Sequence, residues 1–148
     1  MRKYIHVIIL LVIMSFVSVF LNGCLQRHAS TERYPNIEIF DLNEEKVIKE
    51  VPSSTALQNE VRKYLNQITN LYVKFNPIPG KGHLIKVPLV SPVKVKNQCL
   101  NDFVTQVIII LPESEKPYLM VFYGENKYLF FTFEGKIDTL LRLLNFEP

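Results

Sequence analysis

The chain has 148 residues, a formal net charge of +3 and 48% hydrophobic types, which suits a packed domain and excludes a disordered chain. Two cysteines and three histidines, with no Cys-x-x-Cys and no paired His at helical spacing, exclude a disulfide scaffold and the common zinc sites. The small net charge gives no support to nucleic-acid binding.

The chain opens on Met1-Arg2-Lys3, followed by a run from Tyr4 to Leu21 with no charged side chain and then Leu21-Asn22-Gly23-Cys24. A cationic start, an apolar stretch and a small residue at the cut are the three zones of a secretory signal peptide. The apolar run is also about as long as a bilayer span, so a plain N-terminal membrane anchor is the alternative. Leu21-Asn22-Gly23-Cys24 resembles the bacterial lipobox. That resemblance covers residues 1–24 only. It implies removal of residues 1–23, a diacylglycerol on the Cys24 sulfur and a position outside the cytoplasm at the cell membrane. Two acyl chains meet the requirement for stable anchoring that one chain does not. The wealth of Lys, Asn and Ile leans towards a Gram-positive host.

Residues 24–34 have no apolar period and read as a flexible tether. Residues 35–148 are expected to form one globular domain, large enough to bury a core without staples. Asn36 to Phe40 alternates as a strand, and Lys46 to Val51 is a second strand after a turn at Asp41 to Glu45. Pro52-Ser53-Ser54-Thr55 stops it. A helix follows, with Thr55 as N-cap and Gln58 at capping-box spacing. Leu57, Val61, Tyr64, Leu65, Ile68 and Leu71 form its apolar face. Leu71 to Phe75 either extends this helix or opens a strand.

Asn76 to Gly82 must be a loop, since two prolines and two glycines break both periodic structures. Leu84 to Leu89 and Val93 to Val95 read as strands split at Ser91-Pro92. Phe103 to Leu111 contains a run buried on both faces. Tyr118 to Tyr123 and Lys127 to Phe133 flank Gly124-Glu125-Asn126 as a tight hairpin. A last helix spans Lys136 to Asn145 with Ile137, Leu140, Leu141 and Leu144 as its stripe. The expected class is α+β: an antiparallel β-sheet with two helices packed on it, in a single domain. The middle and end resemble the cystatin-like plan of a helix laid across a sheet, a likeness of layout that no residue motif carries.

Chemistry-bearing groups are sparse. Cys99, His83 and Asp102 could be assembled as nucleophile, base and orienter by residue type alone. Asp41, Glu44 and Glu45 could hold calcium only weakly at a turn. Gly80-Lys81-Gly82-His83 lacks the spacing of a phosphate loop. No catalytic residue, cofactor or metal site is therefore expected.

Two features point to interaction instead. From Val61 to Asn101 the chain holds no Asp or Glu, and it carries Lys74, Lys81, Lys86, Lys94 and Lys96. These lysines either pair with acidic neighbours or present a basic face to anionic lipid or wall polymer. The hairpin is aromatic, with Tyr118, Phe122, Tyr128 and Phe130 alternating onto one face. This face is either ordinary core or a groove for a partner. The expectation is a membrane-anchored, non-enzymatic interaction or assembly module with an envelope protein as partner. The alternatives are a lipoprotein that binds a small apolar or glycan ligand, and a minor cell-wall enzyme.

Overall fold

The computed structural model describes residues 34–125 and 127–148. The signal-like segment, Cys24 and the tether lie outside the described residues. Among the described residues, no helix is long and apolar enough to cross a membrane.

Seven strands form one antiparallel sheet: β1 (Asn36–Asp41), β2 (Lys46–Pro52), β3 (Ile68–Leu71), β4 (Gly82–Lys96), β5 (Asn101–Pro112), β6 (Tyr118–Tyr123) and β7 (Lys127–Phe133). Their order across the sheet is β2-β1-β4-β5-β6-β7-β3. Among the described residues two helices complete the fold, α1 (Thr55–Asn66) and α2 (Asp138–Leu144). The α+β expectation therefore holds.

The strand order places the last residue of β2 and the first of β3 at opposite edges. Six strand spacings of ~4.8 Å separate them, roughly 29 Å. α1 is the link between them, and a helix of 12 residues supplies about 18 Å of that span. It crosses the sheet with Leu57, Val61, Tyr64 and Leu65 turned inward. Below it, Ile39, Ile85, Ile109, Leu119 and Phe131 are opposite one another in successive strands, and all are fully buried. α2 adds Leu140 and Leu144 to the same core. Tyr64 ties the layers together: its ring lies 5.0 Å from Phe133 and its hydroxyl donates to the Lys136 carbonyl.

Several local expectations are corrected. The N-cap is Ser54, whose Oγ accepts from the Leu57 amide at 3.3 Å, and not Thr55. Gln58 closes no capping box. Its side chain turns to β4, where Nε2 donates to the Pro88 carbonyl and Oε1 accepts from the Val90 amide. α1 ends at Asn66, so Ile68 and Leu71 belong to β3 and not to the helix face. The two segments around Ser91-Pro92 are one strand, β4. Its pairing with β5 shifts between Pro88 and Val93, which puts three extra residues on the β4 side. The last helix is shorter than expected, and Asn145 closes it in the left-handed conformation at φ 49°.

Candidate functional site

The face of the sheet away from the helices is built by register. One row across it reads Glu38, Lys86, Ile108, Met120, Phe130. The next reads Pro88, Gln106, Phe122, Tyr128. On the other side Leu84, Ile110 and Tyr118 align. Aromatic rings run along this face as a chain. Tyr118 lies 6.5 Å from Phe130, Phe130 lies 6.0 Å from Tyr128, and Tyr128 lies 5.9 Å from Phe122. These separations suit edge-on and tilted aromatic pairing. The hairpin expected from alternation is thus in place, and its aromatic side faces away from the main core.

That face is not wholly open. β3 lies beyond β7, while β4 lies between β1 and β5. Residues 72–81, which join β3 to β4, must therefore pass β7, β6 and β5. They do so on the aromatic face as a strap. Tyr72 stacks on Tyr118 with ring centres 4.0 Å apart, and the Tyr118 hydroxyl donates to the Pro77 carbonyl. Glu115, in the turn between β5 and β6, accepts from the Tyr72 hydroxyl at 2.7 Å and pairs with Lys74. Burial beside Tyr72 pushes the Tyr118 phenol far above its usual range. The hydrogen bonds from Lys74 and Tyr72 hold the Glu115 carboxyl below its ordinary value. Lys74 is raised in turn, first by its bond to Glu115.

Of the two readings of this face, Tyr118 follows the ordinary-core one and is not available as a contact residue. It is 2% exposed under the strap and serves as the strap's socket. Tyr128 is 54% exposed, and Phe122 and Phe130 are half-buried, so these three remain reachable. Between strap and hairpin runs an open groove of about 620 Å³, lined by Lys74, Pro77, Ile78, Met120, Tyr128 and Phe130.

The five lysines divide. Lys74 pairs with Glu115 and Lys86 with Glu38, so these two follow the first of the two readings, pairing with acidic neighbours. Lys81, Lys94 and Lys96 are exposed and form no ion pair among the described residues. Lys94 and Lys96 lie opposite Phe103 and Asn101, directed away from the core residues Val93 and Val95. Lys94 sits over the Phe103 ring at 4.8 Å. The aromatic face thus has a cationic end beside an exposed Phe103 that sequence reasoning did not single out.

The hypothetical triad does not assemble. His83 pairs in register with Leu111, and Asp102 lies nine residues further back on β5, about 30 Å away. Cys99 Sγ sits near the Thr69 carbonyl instead. His83 Nε2 approaches Asp41 Oδ2 at 3.4 Å, and its ring meets Phe146 edge-on. Amide bonds from Glu44 and Asn43 keep the Asp41 carboxyl below its ordinary value. A cleft of about 390 Å³ beside His83 is lined by Leu111, Pro112, Glu113, Pro117, Ile137 and Pro148, which offer no hydroxyl or thiol nucleophile. Among the described residues, no cluster of His, Cys, Asp and Glu is arranged to hold a metal.

The strap is what sequence reasoning missed. Pro77, Pro79, Gly80 and Gly82 mark it as a loop, but no local pattern says which face it crosses. No family model, no curated protein and no solved structure matches the chain.

Proposed function

We propose that this protein is an extracytoplasmic lipoprotein, anchored through Cys24, whose aromatic sheet face is an interaction surface for another envelope protein. The observation that carries the reading is the reachable chain Phe122, Tyr128 and Phe130, with the exposed Phe103 under Lys94 on neighbouring β5 and with Lys94 and Lys96 free of ion pairs among the described residues. Rigid aromatic side chains that are already fixed by neighbouring rings lose little entropy on binding, and such residues dominate interface energies. A complementary partner surface would be apolar at its centre and carry carboxylates opposite the lysines.

The test has two parts. Cys24→Ser should abolish incorporation of labelled fatty acid and release the protein from the membrane fraction. A photo-crosslinker placed at Phe103 in cells should capture one defined envelope protein, and that product should disappear with Tyr128→Ala. Labelled lipid in the Cys24→Ser protein would sink the anchor; a crosslinking pattern indifferent to Tyr128 would sink the interaction face. The groove under the strap favours a second reading, an apolar or glycan ligand. Its volume lies in the range of small-molecule sites. Saturable binding of such a ligand, lost on enlarging Met120 to Trp, would favour that reading.

A further inference from the structure

Along the strap, Tyr72 and Lys74 point to the sheet and to Glu115, so the residues between and after them point the other way. Val73 is 90% exposed and Phe75 is 99% exposed, whereas Ile78, half-exposed, lines the groove on the inner side. A nearly bare phenylalanine next to a nearly bare valine is an unusual surface for a small domain. These side chains stand on a segment that is itself held firmly by the stacked tyrosines and by the Glu115 bonds. The strap lies within the acid-free stretch, and the carboxylate that touches it, Glu115, is already engaged by Lys74 and Tyr72. Lys81 ends the strap, exposed and with no ion pair among the described residues.

We infer that the outer side of the strap, Val73 and Phe75 with Lys81 further along it, is a membrane-contact element that dips into the interface of an anionic bilayer. This rests on the proposed anchor at Cys24. From that residue to the first described residue the chain has only the ten positions 24–33, which reach at most about 35 Å. An anchored domain is thus held within roughly its own width of the headgroups, and the effective concentration of lipid at the strap is high. Apolar side chains with adjacent Lys are the composition that partitions to this interface. Dipping the strap would orient the neighbouring aromatic face close to the membrane surface, where the extracytoplasmic segments of membrane proteins lie.

The chain contains no tryptophan, so Phe75→Trp creates a single fluorescent reporter at the site. The full protein, purified from membranes and reconstituted in phosphatidylcholine–phosphatidylglycerol vesicles, is compared with brominated and unbrominated acyl chains. Phe75→Trp should lose a large part of its emission to the brominated chains. Leu143→Trp, on the exposed side of α2 across the sheet, should not. Equal emission of Phe75→Trp in both vesicles overturns the inference, as does equal quenching of both reporters. A blue shift without bromine quenching overturns it too and shows that a second copy or a protein covers the strap. Intact mass of the Cys24-bearing N-terminal fragment from the same preparation reports the anchor separately. A lipidated Cys24 with an unquenched Phe75→Trp rejects the strap and leaves the anchor standing. A bare Cys24 with a quenched Phe75→Trp does the reverse.

Discussion

Gln58 shows how far a single residue can depart from its local pattern. It is 4% exposed, and its amide bonds Ser53 Oγ, the Pro88 carbonyl and the Val90 amide, joining α1 to the irregular part of β4. Truncation takes the side-chain partner from the part-buried Pro88 carbonyl and Val90 amide and from the buried Ser53 hydroxyl. Gln58→Ala should lower the unfolding free energy by about 2–3 kcal/mol in urea titrations. Gly82 is constrained more severely. Its φ is +118°, and an added Cβ would stand 2.1 Å from the Leu111 carbonyl oxygen. Gly82→Ala should lose at least about 2 kcal/mol, read as a fall in the thermal midpoint. Neither requirement is visible in the sequence. Gln58 looks like a capping-box partner until β4 competes for it, and Gly82 looks like one more loop glycine until β5 packs against it.

Among elements, the hairpin and α1 were legible because their signals are local: alternation with a Gly turn in one, a 3.6-residue apolar period in the other. β3 was obscured because Ile68 and Leu71 continue the helical spacing of α1. Pairing with β7 at Phe133 and Phe131 decides their conformation. The strap makes a pH prediction of definite sign. The Glu115 carboxyl is held below its ordinary 4.5, so its contribution is complete above that value and is lost as pH falls through the lowered pKa. Lys74 is raised above 10.5, so its share is complete below that pH and is lost only as pH rises beyond it. The ring signals of Tyr72 and Tyr118 in NMR spectra should therefore be constant from near pH 5 through neutral pH and move towards unstacked positions in acid. Glu115→Gln should remove the acid-side movement. Shifts unchanged at pH 3 would show that Tyr118 and Pro77 hold the strap without the ion pair.

For the molecule as a whole, stability and interaction should separate. Leu140 on α2 is fully buried, and Leu140→Ala should lose about 2–5 kcal/mol of unfolding free energy. Tyr128→Ala, at a half-exposed site, should change stability by less than about 1 kcal/mol while abolishing the Phe103 crosslink. A large stability loss at Tyr128 would instead make the aromatic face a second core. By itself the sequence determined the kinds of element and nearly all their order along the chain. Those readings depend on side chains a few positions apart, whose period and turn chemistry are written locally. Only the tertiary structure decided that β3 lies at the far edge and β4 in the interior. From that order it follows that the chain must cross the sheet twice. α1 takes one face, and the strap takes the other, covering Tyr118 while leaving Phe75 bare. Strand order comes from pairings between residues far apart in the chain, and no local period records which partner each edge will find.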